Sequence, residues 1–280
     1  MCYNISGVSM RLTIKVPGSC GELVQGMLKG EPFLITCPIN IFTTVTISDE
    51  FSGKFGLGWK AETMLKKTLT YLGYDNDFNF GIALESKLPL GKGMASSSAD
   101  IAAVAKAVAL SLGTDITAED IAALATTVEP TDGVFYNGIV AMNPVTGYIF
   151  RNFEPLSEYK IIIFDFGGEI DTLGFKRQSN FHLTELPQHI DISMATTSSL
   201  ANQSILYKPQ LEDIIHFAKS LGALAVTTAH TGTVIGVIFA EDTSQLYLEQ
   251  CSTTITQKFT DINYIAAVKL ISGGFRINDD

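Results

Sequence analysis

The chain has 280 residues, of which 46% are hydrophobic and 17% are charged, and its formal net charge is −10 at pH 7. This composition excludes an intrinsically disordered chain, and the length allows one large domain or two closely joined domains. The acidic balance argues against nucleic acid or an anionic membrane as the main partner, because both carry negative charge.

The predicted elements mix strands and helices without a strict βαβ repeat. From the N-terminus, strands are predicted at 11–16, 33–37, 41–48, 78–84, 138–142, 145–150, 160–166, 224–229, 234–239 and 263–270. Helices are predicted at 59–72, 97–112, 118–128, 209–221 and 243–258, with Thr117 and Asp120 capping the third. This order favours an α+β fold over a parallel doubly wound sheet. The irregular stretch 167–208 is predicted to join two halves of the chain and to offer substrate contacts.

The first strand runs into a glycine-rich segment with the sequence Pro-Gly-Ser-Cys-Gly-Glu-Leu-Val-Gln-Gly at 17–26. Three glycines and a proline in ten residues predict a tight, polar turn. Glu22 is the carboxylate of this segment. It could bind a substrate ammonium group, or it could simply cap backbone amides.

The segment 89–100, Pro-Leu-Gly-Lys-Gly-Met-Ala-Ser-Ser-Ser-Ala-Asp, runs directly into an Ala/Val-rich helix. Its glycines allow a ligand to approach the backbone, and the helix presents free N–H groups and the positive end of its dipole. Serine hydroxyls can bind phosphate or a hard cation such as Mg²⁺. The segment fits neither the Walker A nor the dinucleotide pattern. It therefore predicts an anion site, the alternative being an ordinary glycine-rich turn with serine caps.

A turn with two carboxylates, Thr-Val-Glu-Pro-Thr-Asp-Gly at 127–133, follows the third predicted helix. Pro130 ends that helix and constrains the turn. One carboxylate of such a pair can hold Mg²⁺ while the other orients or deprotonates an acceptor hydroxyl. The alternative is an Asx-type turn with an exposed acid.

Two apolar strands near the C-terminus, Ala223 to Thr228 and Val234 to Phe239, are joined by the loop Ala-His-Thr-Gly-Thr at 229–233. The four histidines of the chain have neither triad-like nor metal-like spacing. His230 is singled out because it lies in this loop.

Together these segments resemble the motifs of the GHMP small-molecule kinases. The departures are Met94-Ala95, where that family usually has Leu-Gly, and a glycine-poor third motif. The first motif, the Glu-Pro-Thr-Asp-Gly turn and the third loop are similar to the L-threonine kinase branch, whose members make O-phospho-L-threonine for the aminopropanol linker of cobalamin. The resemblance implies a two-lobed α+β fold. Its N-terminal ATP-binding lobe (1–155) would contain a left-handed βαβ crossover, its C-terminal lobe (156–280) would be ferredoxin-like, and the active site would lie between them.

The resemblance also implies roles for individual residues, with ATP and Mg²⁺ as cofactors. Asp132 would act on the acceptor hydroxyl, and Ser97 and Glu129 would hold Mg²⁺. The residues assigned to ATP are Pro89, Gly91, Lys92, Gly93, Met94, Ala95, Ser96, Ser97 and Ser98. The residues assigned to the acceptor are Glu22, Thr131, His230, Thr231 and Gly232.

The cysteine spacing and the length of the apolar runs limit where such a protein could be located. The cysteines (Cys2, Cys20, Cys37 and Cys251) have no paired spacing, and no apolar run reaches the ~18 residues of a membrane span. A cytoplasmic protein is expected that binds small molecules and neither nucleic acid nor a membrane. It could form a homodimer. Trp59 and Phe55 could form an adenine platform, but packing in the core or a loop is the preferred interpretation.

The expected function is ATP- and Mg²⁺-dependent phosphorylation of the L-threonine hydroxyl. One alternative is a GHMP kinase acting on homoserine or another small alcohol. Another is a nucleotide-binding regulator without turnover.

Overall fold

The computed structural model describes residues 10–74, 78–168 and 185–279. Within these ranges the strands are β1 (Arg11–Leu28), β2 (Glu31–Ser48), β3 (Lys54–Phe55), β4 (Gly81–Ser86), β5 (Ile139–Met142), β6 (Ile149–Phe153), β7 (Lys160–Asp165), β8 (Ala225–Thr228), β9 (Val234–Phe239), β10 (Asn263–Lys269) and β11 (Arg276–Asp279). The helices are α1 (Trp59–Tyr71), α2 (Ser96–Ser111), α3 (Ala118–Thr126), α4 (Met194–Asn202), α5 (Leu211–Ser220) and α6 (Gln245–Lys258), with a 3-10 turn at Gly133–Phe135. The α+β prediction is confirmed, and the five predicted helices are present.

The described strands form one continuous sheet that crosses both halves of the chain. Its main path is β10-β7-β9-β8-β1-β2-β4-β3, with β11 paired to β1 and β5 linking β2 to β6. The first motif on β1 therefore lies beside β8, which leads into the third loop. The division into lobes at 155/156 stays a prediction.

The prediction of a tight turn at 17–26 is wrong, because the whole segment belongs to β1. β1 pairs antiparallel with β2 along its length, with register shifts at Pro17/Gly18, Ser19/Glu22 and Glu22/Val24. The glycines permit these bulges: Gly21 has a φ of +63°, and a Cβ there would lie 2.3 Å from the Thr228 carbonyl oxygen. The two strands predicted at 33–37 and 41–48 are likewise one strand, β2.

Helix α2 is the central helix of the N-terminal half. It packs against β1 and β2 on one side and against α1 and α3 on the other. Small side chains allow this close approach, and the alanines from Ala99 to Ala109 are fully buried. Its first turn is consequently held at a fixed position at the end of the core.

A second apolar cluster covers the opposite face of the sheet in the C-terminal half. Because side chains alternate along a strand, Ile161 and Ile163 of β7 point into the main core, whereas Ile162 and Phe164 point into the second cluster with α5 and α6. Helix α4 lies in the stretch predicted to be irregular and packs on β1 and β8; residues 169–184 of that stretch lie outside the described ranges. In the described part of the chain, no helix combines the length and apolarity needed to cross a membrane.

Candidate active site

A cleft of about 470 Å³ brings together most of the residues predicted to be functional. The predicted residues on its wall are Glu22, Gly91, Gly93, Met94, Ala95, Ser96, Ser97, Ser98, Glu129, Asp132, His230 and Thr231. They come from β1, the glycine-rich loop with the start of α2, the turn after α3 and the third loop, which are far apart in sequence.

The glycine-rich loop turns sharply before α2. Gly91, Gly93 and Ala95 have φ values of +69°, +79° and +55°, so three residues adopt the left-handed conformation. Helix α2 begins at Ser96, and the amides of its first turn have no carbonyl partner within the helix. The loop conformation and the helix start are compatible with the predicted anion site, which stays a prediction.

Both oxygens of the Glu129 carboxylate are engaged by side chains. The Ser97 hydroxyl donates to Oε1, and Lys60 Nζ lies 2.5 Å from Oε2. Glu129 is only 4% exposed, so this carboxylate is fixed at the cleft wall. The sequence analysis missed Lys60, which lies in the first turn of α1 and also lines the cleft.

The oxygen ligands of Ser97 and Glu129 fit Mg²⁺, which prefers hard oxygen donors. Among the described residues, no group of three or more His, Cys, Asp or Glu side chains could hold a metal ion. A cation at Glu129 would therefore need further ligands from phosphate and water, which is how Mg²⁺ is usually bound beside nucleotides.

Asp132 and Ser98 hold each other through two hydrogen bonds. The Ser98 hydroxyl donates to Asp132 Oδ2 at 3.2 Å, and the Asp132 amide donates to Ser98 Oγ at 3.0 Å. The next amide, that of Gly133, donates to Thr36 Oγ1 at 3.2 Å. Asp132 is the residue just before the 3-10 turn, and these bonds hold its carboxylate at the cleft wall.

The third loop packs backbone to backbone against the glycine-rich loop. The amides of Thr233 and Val234 both donate to the Lys92 carbonyl oxygen, at 3.0 and 3.2 Å. A Cβ on Gly232 would lie 2.1 Å from that same oxygen, so the position accepts only glycine without movement. Gly232 shapes the site from behind and does not line the cleft.

Glu22 and Lys208 bind opposite ends of one peptide unit in the third loop. Glu22 Oε2 accepts from the His230 amide at 2.6 Å, and Lys208 Nζ donates to the Ala229 carbonyl oxygen at 2.8 Å. Burial lowers the pKa of Lys208 to about 8, although the nearby Glu22 charge opposes the shift. Glu22 thus caps a backbone amide, as the structural alternative predicts, while also lining the cleft.

Asp100 is a further carboxylate of the cleft wall that the sequence analysis missed. The Thr43 hydroxyl donates to Asp100 Oδ1 at 2.7 Å and, having only one proton, accepts from Ser86 Oγ at 2.9 Å. Burial raises the pKa of Asp100 to about 6; the Thr43 hydrogen bond and the Lys60 charge act against this rise, and Glu129 adds to it. The sequence does contain a signal, because Asp100 and Lys106 are the only charged residues of α2, whose other residues are apolar or serine.

Three of the predicted residues lie off the cleft wall besides Gly232. Pro89 precedes the glycine-rich loop and is partly exposed. Lys92 Nζ is paired with Asp165 at 2.7 Å and donates to the Gly168 carbonyl. Thr131 is 1% exposed, and its hydroxyl has no hydrogen-bond partner. Their binding roles stay predictions.

Neither Trp59 nor Phe55 packs in the core, but Phe55 makes a loop contact of the kind that the preferred interpretation includes, with its ring centroid 5.9 Å from that of Phe51. Trp59 is 60% exposed and Phe55 is 55% exposed. Trp59 lines the cleft together with Leu90, which is also exposed, so apolar surface is available at its edge.

Comparison with known proteins connects this geometry to a family. The family described as GHMP kinases N terminal domain matches residues 60–138, which contain the glycine-rich loop, α2 and the carboxylate turn. An L-threonine kinase from Citrobacter freundii is 25% identical, the alignment covering 93% of this chain and 98% of the relative. Residues 60–138 thus match a GHMP kinase N-terminal domain. Together with the L-threonine kinase relative, this match supports a kinase enzyme, and GHMP kinases use ATP as a substrate.

Solved structures share the fold of this chain. A galactokinase from Lactococcus lactis in complex with galactose has a TM-score of 0.65 at 13% identity, covering 95% of this chain and 95% of that one. A homoserine kinase from Cytophaga hutchinsonii has a TM-score of 0.60 at 16% identity, covering 99% of this chain and all of the other. At these identities the likeness concerns the fold alone.

Proposed function

We propose that this GHMP kinase is an L-threonine kinase, which transfers the γ-phosphoryl group of ATP to the L-threonine hydroxyl to give O-phospho-L-threonine and ADP. The main support is the convergence of the glycine-rich loop, Glu22 and Asp132 on one cleft of about 470 Å³. The relative named L-threonine kinase, which aligns over 93% of the chain, supports the choice of acceptor. By the same resemblance, the product would serve the aminopropanol linker of cobalamin.

In this proposal the triphosphate lies on the glycine-rich loop and the first turn of α2. Backbone amides and serine hydroxyls bind its oxygens, and the helix dipole favours its negative charge. Ser97 and Glu129 hold Mg²⁺, which would neutralise part of the charge on the transferred phosphoryl group. The exposed surfaces of Trp59 and Leu90 offer the adenine ring an apolar contact.

The acceptor lies between Glu22 and Asp132. The Glu22 carboxylate binds the substrate ammonium group, and Asp132 accepts or orients the hydroxyl proton. The threonine oxygen forms a new bond to the γ-phosphorus, the bond from that phosphorus to the β,γ-bridging oxygen breaks, and ADP leaves. The acceptor is also bordered by His230 and Thr231, which line the cleft. Behind them lie Thr131 and Gly232, which would support the acceptor site without lining the cleft. The hydrogen bonds between Ser98 and Asp132 set the carboxylate orientation before substrate binds.

The proposal is tested by measuring ADP release with Mg-ATP and a panel of L-threonine, D-threonine, L-serine, L-homoserine and mevalonate. L-threonine-dependent release with a phosphothreonine product is expected. For Asp132→Asn we expect kcat to fall by about 10²- to 10⁴-fold, the usual contribution of a general base, with ATP binding retained. Asp261→Asn, at an exposed aspartate in the turn before β10, is the matched control and should leave turnover unchanged.

Other outcomes distinguish the alternatives. Turnover with homoserine or mevalonate in place of threonine would keep the kinase and reject the acceptor. ATP binding without turnover of any acceptor would favour a regulator. An Asp132→Asn variant with wild-type kcat would remove Asp132 from the chemistry.

A further inference from the structure

The cleft has an unusual charge balance for a site that binds ATP. Four carboxylates line it: Glu22, Asp100, Glu129 and Asp132. Among the described residues on its wall, Lys60 is the only lysine or arginine. Lys92 belongs to the glycine-rich loop, but its ammonium group is bound to Asp165. Among the lysines and arginines of the described residues, Lys60 is therefore the one that can reach a phosphate from this wall.

Lys60 is positioned for that contact, but it is engaged elsewhere. Its Nζ lies 2.5 Å from Glu129 Oε2, and the same carboxylate accepts from the Ser97 hydroxyl at the start of α2. Only one carboxylate group thus separates the ammonium group from the first turn of α2, where phosphate is expected. The side chain of Lys60 is 22% exposed, whereas that of Glu129 is 2% exposed, so the lysine is the partner of the pair that a ligand in the cleft can reach.

We propose that Lys60 is a catalytic residue with two partners, binding Glu129 in the nucleotide-free cleft and a terminal phosphate oxygen of ATP in the complex. The exchange follows from competition for Glu129: this carboxylate, if it held a cation together with Ser97, would bind Lys60 less strongly and leave the ammonium group available to phosphate. A lysine is suited to such a movement because it is a point charge on a flexible four-carbon chain. The inference rests on the proposed use of ATP and adds a residue that binds the transferred group.

The opposing explanation is that Lys60 serves the fold only, by joining α1 to the end of α3 through a permanent ion pair. The two explanations differ in what the terminal phosphate does. If the ion pair is permanent, loss of Lys60 should affect the affinities for ADP and ATP equally. If Lys60 binds the terminal phosphate, its loss should weaken ATP binding more than ADP binding.

Nucleotide binding without acceptor separates them, and Trp59 supplies the signal. It is the only tryptophan of the chain, it lines the cleft, and its ring centroid lies 5.7 Å from Lys60 Nζ. Fluorescence titration with a non-hydrolysable ATP analogue and with ADP, both with Mg²⁺, gives the two affinities. For Lys60→Met we expect the affinity for the ATP analogue to fall by about 10- to 100-fold more than that for ADP, as for loss of a charge-assisted hydrogen bond. Lys66→Met, at an exposed lysine of the same helix, should bind both nucleotides like the wild type.

A second measurement uses the unaltered protein, so it does not depend on the folding of a variant. Lysines are acetylated by a water-soluble reagent, and the extent of labelling at each is read by mass spectrometry. Labelling of Lys60 should fall with the ATP analogue and fall less with ADP, while Lys66 serves as the internal reference. The inference would be overturned if Lys60→Met lost affinity equally for both nucleotides, or if the ATP analogue and ADP protected Lys60 from acetylation equally. Either result would leave the proposed kinase activity unaffected. Absence of nucleotide binding in the wild type would overturn the proposed function itself.

Discussion

Replacing Asp100 by asparagine should stabilise the protein. Asp100 is partly buried at the start of α2, and its pKa is raised from 3.8 to about 6, mainly by burial. The raised pKa means that the folded state disfavours the ionised form. Asparagine has nearly the same shape, carries no charge, and can still accept the 2.7 Å hydrogen bond from Thr43 through Oδ1. The substitution thus removes an electrostatic cost and keeps the main contact.

The size and sign of the effect follow from the pKa change. A shift of about two units corresponds to about 3 kcal/mol at 1.36 kcal/mol per unit, as an upper value. Between pH 3.8 and about 6 the folded carboxyl holds more protons than the unfolded one, so wild-type stability falls as the pH rises through this window. Above about pH 7 the cost is constant, because the carboxyl is then ionised in both states. The stability advantage of Asp100→Asn should therefore be below ~1 kcal/mol near pH 4 and reach its full value by pH 7.

Urea denaturation of both proteins at pH 4.5, 5.5, 6.5 and 7.5, followed by far-UV circular dichroism, measures this difference. Titrating groups that do not interact with Asp100 cancel in the comparison of variant with wild type. Asp115→Asn is a control of opposite sign, because Lys106 lowers the pKa of the Asp115 carboxyl and its loss should slightly destabilise at neutral pH. A midpoint for Asp100→Asn at or below the wild type at pH 7.5, or a gap that does not change with pH, would refute the reasoning.

Two further predictions concern the loops of the cleft. Gly232→Ala places a Cβ 2.1 Å from the Lys92 carbonyl oxygen, so the two loops must separate; we expect a loss of about 1–3 kcal/mol in urea denaturation and at least tenfold weaker ATP binding by titration. Unchanged ATP affinity would show that the loop contact does not shape the phosphate site. Ala95→Gly removes the cost of a left-handed alanine at a φ of +55° and should raise stability by about 0.5–1 kcal/mol without loss of ATP affinity. A lower urea midpoint would contradict the prediction.

The helices could be predicted from the sequence because their signals are local. The capping box of Thr117 and Asp120 is present at the start of α3, as expected. The first motif could not be placed in the same way. Its glycines and proline predict a turn, but β2 provides a pairing partner over the whole length of β1, and bulges absorb the irregular residues. Strand pairing over long sequence distances is a tertiary effect that local propensity does not contain.

The candidate site was predictable where a motif marks it and not elsewhere. The glycine-rich loop and the turn with Glu129 and Asp132 have compositions that suggest their chemistry. Lys60 and Lys208 belong to no motif. Lys60 reaches Glu129 only because α1 packs beside the cleft, and Lys208 reaches the third loop only because the connection between α4 and α5 folds against it. The roles assigned to the predicted residues stay predictions until the variants are measured.

The cleft can accept a polyanion although four carboxylates line it, because each carboxylate already has a donor from another part of the chain. The pairs are Glu22 with the His230 amide, Asp100 with Thr43, Glu129 with Ser97 and Lys60, and Asp132 with Ser98. A carboxylate that accepts such bonds has part of its charge compensated by the protein. The raised pKa of Asp100 shows that compensation is incomplete there, since burial outweighs its one hydroxyl donor. A side chain that costs stability at the wall of a cleft is typical of a functional site, and it makes Asp100 the next residue to test beside Lys60.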